Sequence, residues 1–192
     1  MYIGININGD KSYSVSVLDK DCKLVYVSSF LKEGLYWFLE HFKSKRVVFN
    51  INFLNKNNLP LILKEYKHLY SVLIENFEFE EFKEKGINGK VILLTDTDRY
   101  FSQFVRKGLL PIYTREGLEQ RIYNLKKTGL IIDFSYLSKD RKKLKNEINA
   151  IVSAYSSYLI DKNLFKFEKV NNFNLLVPVY KFVPKSLRNK EK

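Results

Sequence analysis

Residues 2–27 read YIGININGDKSYSVSVLDKDCKLVYV. Apolar and polar residues alternate here in three short runs, which is the pattern of half-buried β-strands. Asn8 and Gly9 separate the first two runs, and both residue types accept the positive φ of a tight hairpin turn. A second turn at residues 20–23 leads into the third run. The segment therefore predicts a three-stranded antiparallel meander.

The residues after the meander predict a helix and then a buried strand. Apolar residues recur at helical spacing from Leu35 to Phe42, which indicates an amphipathic helix. The run from Arg46 to Phe53 is mostly apolar and has the length of a strand. A buried strand that follows a helical crossover is typical of parallel pairing. We therefore expect an α/β fold in which helices flank a mixed central sheet.

The second half of the chain predicts further helices and strands. We first expect a helix opened by Pro60, an edge strand at residues 77–80, a turn at 88–89 and a strand at 91–94. Two helices follow, one capped by Thr95 or Thr97 that runs to Arg106 and one capped by Thr114 that runs to Lys127. The chain then predicts a short buried strand at 130–134, a long helix from Ser138 to about Asp161, and a hairpin of residues 164–170 and 174–183. We expect one domain over residues 1–184 and a basic, disordered tail over residues 185–192.

Composition narrows the class of protein. The chain has 192 residues, of which 45% are hydrophobic, and this excludes general disorder. It contains no apolar run of transmembrane length and no signal peptide, so we expect no membrane partner. Cys22 is the single cysteine, which excludes an internal disulfide and a zinc site of paired cysteines. These features predict a cytoplasmic protein.

The charge of the chain points to a polyanionic partner. Lysine and arginine number 33 against 21 acidic residues, a net charge of +12. DNA or RNA would match this charge, although solubility alone is an equal explanation. One cluster lies at the start of the last predicted helix, where positive charge opposes the helix dipole. It comprises Lys139, Arg141, Lys142, Lys143 and Lys145, which we expect to bind nucleic acid unless they form only a solvated helix face.

Several short motifs occur in one order along the chain. In the first half these are residues 4–9, which read GINING, and residues 47–50. The others are Thr97-Asp98-Arg99 with the later Gly108 and Pro111, and residues 131–133, 149–155 and 175–179. In this order they resemble the predicted RNase H-like nucleases known as domain-of-unknown-function family 429. The resemblance implies an RNase H-like fold, with the meander joined to parallel strands. It also implies a site for phosphodiester cleavage.

Nucleases of this fold hold two metal ions about 4 Å apart within a cluster of carboxylates. At three positions where the family has aspartate, this chain has Asn6, Asn50 and Asn149. Asp133 is the one carboxylate that the resemblance places at the site. A neutral amide offers a metal one weak oxygen ligand and no charge. We therefore expect a catalytic site that has lost its activity, with no cofactor and at most weak metal binding at Asp133.

Three functions stay open at this point. The first is a nucleic-acid-binding protein that cleaves little or not at all. The second is an active nuclease that uses Mg²⁺ or Mn²⁺ and a rearranged set of acids, drawn from Asp10, Asp96, Asp98, Asp133 and Glu147. The third is a non-catalytic module that binds a protein partner or forms a homo-oligomer. The common nucleotide-binding and hydrolase motifs do not occur in the sequence.

Overall fold

The structure is a computed structural model, and it describes residues 1–42, 44–51, 59–81, 90–103, 105, 108–170 and 172–179. In these ranges the strands are β1 (Tyr2–Ile7), β2 (Tyr13–Leu18), β3 (Leu24–Phe30), β4 (Arg46–Asn50), β5 (Glu80–Glu81), β6 (Val91–Thr95), β7 (Phe165–Val170) and β8 (Phe173–Pro178). The α-helices are α1 (Lys32–His41), α2 (Leu59–Phe77), α3 (Thr97–Ser102), α4 (Arg115–Lys127) and α5 (Arg141–Asp161). A 3₁₀ helix covers Phe134–Tyr136. The predicted turn at 88–89 and the predicted tail lie outside the described residues.

All eight strands belong to one mixed sheet. Seven of them follow the order β3-β2-β1-β4-β6-β8-β7, and the short β5 pairs with β6. The first three strands form the antiparallel meander, whereas β1, β4, β6 and β8 are parallel to one another. The predicted α/β fold with a mixed sheet flanked by helices is therefore confirmed.

Helices cover both faces of the sheet because the central strands are apolar on both sides. In β1, Ile3, Ile5 and Ile7 belong to the core that also contains residues of α1 and α2. The opposite face of the sheet packs against α3, α4 and α5 in a second core. On that second face α5 lies directly on β1, since a Cβ atom at Gly4 would be 2.1 Å from the carbonyl oxygen of Ala150. Only glycine permits this approach, which fixes α5 over β1.

The first hairpin turn is longer than the tight turn predicted at Asn8 and Gly9. The positive φ falls instead on Lys11, at 62°, and the amide of Asn8 donates to the carbonyl of Ser12. This is a three-residue loop, in which the third residue is left-handed. Cys22 occupies the same place in the second turn, also at a φ of 62°. The longer loop leaves the Asn8 side chain free to turn inward.

Four predicted elements of the second half are corrected. The predicted edge strand at 77–80 is shorter and lies later in the chain, as β5 (Glu80–Glu81), because α2 continues to Phe77. Asp96 rather than a threonine caps α3, and Asp140 rather than Ser138 caps α5. In both helices the carboxylate of the cap accepts a hydrogen bond from a backbone amide of the first turn. The predicted strand at 130–134 consists of one bridge followed by the 3₁₀ helix. The prediction of α4, capped by Thr114, is confirmed.

Candidate functional site

Polar side chains meet where the parallel strands β1, β4 and β6 end. Asn6 pairs in register with Asn50, and Asn50 pairs with Thr95. The Nδ2 of Asn50 donates a hydrogen bond to Oδ1 of Asn6 at 2.8 Å. The backbone amide and Oγ1 of Thr97 both donate to Oδ1 of Asn50, at 2.9 Å and 2.6 Å. The carboxyl ends of parallel strands are a common place for ligand sites in open α/β sheets.

The side-chain nitrogen of Asn6 extends this network to the neighbouring hairpin and to α5. Its Nδ2 donates to Oδ1 of Asn8 at 2.7 Å and to Oδ1 of Asn146 at 3.4 Å. The Nδ2 of Asn8 donates in turn to the hydroxyls of Ser12 and Ser14. Asn6 is 4% exposed and Asn50 is 3% exposed, so these bonds lie inside the protein. Buried amides that satisfy one another stabilise a single arrangement of the strand ends.

Asn149 lies on the same helix, one turn after Asn146. It precedes Ala150, whose carbonyl faces Gly4 of β1, and it is 4% exposed. Its Oδ1 accepts no hydrogen bond from the described part of the protein. We refer to Asn6, Asn8, Asn50, Asn146 and Asn149 as the asparagine cluster. The structure thus brings Asn6 and Asn50 into contact and places Asn149 on the helix that covers them.

Asp133 does not lie with these asparagines. Ile131 forms a bridge to Lys23 on the outer edge of β3, which puts this segment three strand spacings, about 14 Å, from β1. Asp133 itself is exposed, and its Oδ1 accepts hydrogen bonds from the hydroxyl and amide of Ser135. These bonds hold the pKa of the carboxyl below its ordinary value. The expectation that the asparagines converge on Asp133 is therefore not met.

The other acids considered for a rearranged site each contact a different part of the protein. Asp96 caps α3, and Asp98 forms an ion pair with Arg121, with the two side chains 2.6 Å apart. Asp10 accepts bonds from Ser12 and lies 3.2 Å from Nζ of Lys142. Glu147 accepts the amide of Ser138, and burial raises the pKa of its carboxyl. Asp96 directly precedes Thr97, which donates to Asn50, and Glu147 directly follows Asn146.

The residues at the strand ends do not suit a pair of divalent metal ions. Among the described residues, no three His, Cys, Asp or Glu side chains are grouped so that they could hold one. Asn6 and Asn50 contribute no charge, and each uses its amide to bind the other or a neighbour. Mg²⁺ prefers charged oxygen ligands and gives up its bound water reluctantly. The strand ends are thus filled by hydrogen-bonded amides rather than by carboxylates.

The basic cluster lies beside this site, at the start of α5. Lys139, Arg141, Lys142 and Lys143 are exposed, and Lys145 is half-buried. Lys142 is one turn before Asn146 on the helix, so both lie on the same side of α5. The salt bridge from Lys142 to Asp10 joins this side to the first hairpin. Positive charge therefore borders the asparagine cluster. We call Lys139, Arg141, Lys142, Lys143 and Lys145 the basic strip.

Sequence reasoning missed three members of the network. The sequence places Asn8 in the predicted turn, and its motifs do not link Asn146 or Thr97 with Asn6 and Asn50. A signal for Asn146 was present, because it lies three residues before Asn149 and residues at that spacing share one side of a helix. Thr97 could not be found in this way, since its contact with Asn50 depends on the pairing of β4 with β6.

None of the helices in the described ranges combines the length and the apolar character that a membrane crossing needs. Comparison of the chain with protein-family models, with curated proteins and with solved structures found no match.

Proposed function

We propose that this protein has an RNase H-like fold and binds DNA or RNA through the basic strip, next to a nuclease site that has lost its metal-binding carboxylates. The strand order supports the fold. An antiparallel meander β3-β2-β1 continues into the parallel strands β4 and β6, and a long helix covers β1. This is the arrangement that the resemblance to RNase H-like nucleases implies.

The observation that carries the proposal is the hydrogen bond between Asn50 and Asn6, in register on adjacent strands. The resemblance implies aspartates at these two strand ends. Two ionised aspartates at this distance would repel each other unless a cation or a shared proton lay between them, whereas two amides bind each other directly. The site is therefore built for a state without metal, which supports binding without efficient cleavage.

The position of the basic strip supports a nucleic-acid partner. Lys142 and Lys143 lie within one helical turn of Asn146, and Lys139 and Arg141 extend the positive charge outward from the strand ends, where a phosphate backbone would enter. Asp140 offsets part of the unfavourable charge there, because its carboxylate caps the helix by accepting the amide of Lys143. Lys139, Arg141 and Lys143 are exposed and form no salt bridge among the described residues, so their charge is available to phosphates.

The test is a salt titration of binding to labelled single-stranded and double-stranded DNA and RNA, followed by fluorescence anisotropy. Each phosphate contact that is lost reduces the slope of log affinity against log salt by about 0.7 to 0.9. We expect the variant Lys139→Gln, Arg141→Gln, Lys143→Gln to lower the slope by about 2 to 3. The matched control changes exposed lysines of α2 on the opposite face of the sheet, Lys64→Gln and Lys67→Gln, and should keep the slope.

Two outcomes would overturn the proposal. Absence of binding by the native protein at low salt would reject the nucleic-acid function and favour a protein-interaction module. Cleavage by the native protein with Mg²⁺ or Mn²⁺ would reject the loss of activity. In the cleavage assay, a variant with Asn6→Asp, Asn50→Asp and Asn149→Asp serves as the comparison, because it introduces the three carboxylates that the resemblance implies.

A further inference from the structure

The end of α4 and the 3₁₀ helix together expose aromatic rings and lysines. Tyr123 is 58% exposed and Tyr136 is 73% exposed. The Nζ of Lys127 lies 4.1 Å from the ring centroid of Tyr123, and the Nζ of Lys126 lies 4.5 Å from that of Phe134. The second contact joins α4 to the 3₁₀ helix. We call Tyr123, Lys126, Lys127, Phe134 and Tyr136 the aromatic surface.

The aromatic surface is continuous with the basic strip. Tyr136 precedes Lys139 by three residues. Between them, the amide of Ser138 donates to Oε2 of Glu147 at 2.8 Å, which fixes this segment against the second turn of α5. Glu147 follows Asn146 of the asparagine cluster directly. A chain that runs along the basic strip and past the asparagine cluster can therefore reach Tyr136 and then Tyr123.

The packing of the described residues does not explain the exposure of these rings. Buried neighbours such as Leu125 and Leu130 already fill the core beneath them. Asp133 keeps its negative charge, because the bonds from Ser135 lower the pKa of its carboxyl. Lys126 and Lys127 outnumber it among these residues, so the local charge is positive. A surface that combines exposed aromatic rings with ammonium groups offers stacking to bases and charge to phosphates.

We propose that the aromatic surface binds a single-stranded nucleic acid, with bases stacked on Tyr123 and Tyr136 and phosphates beside Lys126 and Lys127. The inference rests on the proposed nucleic-acid function and names its substrate class. In a duplex the faces of the bases are stacked on one another and cannot reach the rings, whereas unpaired bases can. Exposed tyrosine rings therefore favour a single strand over a double strand.

The experiment measures the affinity of the full-length protein for labelled oligo-dT, oligo-U and a dA:dT duplex of equal length by fluorescence anisotropy. Stacking on one aromatic ring contributes enough that Tyr123→Ala and Tyr136→Ala should each weaken single-strand binding by about fivefold or more. Tyr136→Phe should keep native affinity, because it keeps the ring and removes only the hydroxyl. Trp37→Ala is the matched control, since Trp37 is 57% exposed on α1, across the sheet.

The outcomes separate the inference from the proposed function. Tighter binding of oligo-dT or oligo-U than of the duplex, together with the loss in both alanine variants, supports the inference. Equal binding of the duplex, or alanine variants that behave like Trp37→Ala, overturns the inference while the proposed function stands. Failure of the native protein to bind any of the three probes at low salt overturns both. Loss of binding in Tyr136→Phe would also contradict stacking.

Discussion

Replacement of Asn6 by aspartate tests whether the asparagine cluster is built for a state without metal. In the native protein Nδ2 of Asn6 donates to Oδ1 of Asn8 and to Oδ1 of Asn146, while its Oδ1 accepts from Asn50. In Asn6→Asp the donor becomes a second carboxylate oxygen, which faces the acceptor of Asn8 from a position that is now 2.7 Å away. Two hydrogen bonds are lost and a charge is buried in a residue that is 4% exposed.

The cost follows from these contacts. An unsatisfied buried polar group costs about 1–3 kcal/mol, and a charged group costs more. We therefore expect Asn6→Asp to lower the free energy of unfolding by about 3 kcal/mol at neutral pH. With an m-value of about 2 kcal/mol/M, the midpoint of urea unfolding falls by about 1.5 M. Asn174→Asp makes the same chemical change at an exposed position of β8 and should leave the midpoint nearly unchanged.

The loss also depends on pH in a defined direction. Burial beside acceptors disfavours the charged carboxylate, so the pKa of the new aspartate is higher in the folded state than its unfolded value of about 3.9. The folded state then binds the proton more tightly. Relative to the native protein, the variant loses little stability below the unfolded pKa, and the loss grows as pH rises toward the folded pKa. A midpoint for Asn6→Asp that matches Asn174→Asp at neutral pH would refute the reasoning.

Three further predictions concern the packing at Gly4, the buried ion pair of Arg121 and the reactivity of Cys22. Gly4→Ala should destabilise the protein by more than about 3 kcal/mol in urea unfolding, because its Cβ would overlap the backbone of α5. Arg121→Met should cost about 3–5 kcal/mol, because it breaks the buried ion pair with Asp98, whereas loss of the exposed pair at Arg115 should cost far less. Burial raises the pKa of the Cys22 thiol to about 12, so a thiol reagent at neutral pH should label the native protein much more slowly than the urea-unfolded protein.

The parts of the fold that local pattern determines were predictable. Alternation gave β1 to β3, and the helix and apolar run that follow gave α1 and β4 in the correct order. The contact of Asn6 with Asn50 was implied by the resemblance, since both residues end neighbouring parallel strands. Local sequence was sufficient here because β1, β2 and β3 each pair with the next strand along the chain. The helix before β4 indicated a crossover, and hence the parallel pairing of β4 with β1.

The parts that depend on distant contacts were not predictable. The run 130–134 is apolar enough for a strand, but only Ile131 finds a partner, at Lys23 on the edge of the sheet. Its place in the sheet decided the position of Asp133, and no local signal carries that information. Asn8 was assigned to a tight turn, but the loop is one residue longer and turns its side chain toward Asn6. Such differences in loop length change which side chains reach a site.

The most direct test of the account combines binding and cleavage in one sample. The native protein is mixed with labelled single-stranded DNA or RNA at low salt in the presence of Mg²⁺ or Mn²⁺. The bound fraction is measured first, and the products are then separated on a denaturing gel. We predict a bound, intact strand whose binding weakens as salt rises. Shortened products from the native protein, or an intact strand that never binds, would contradict the account.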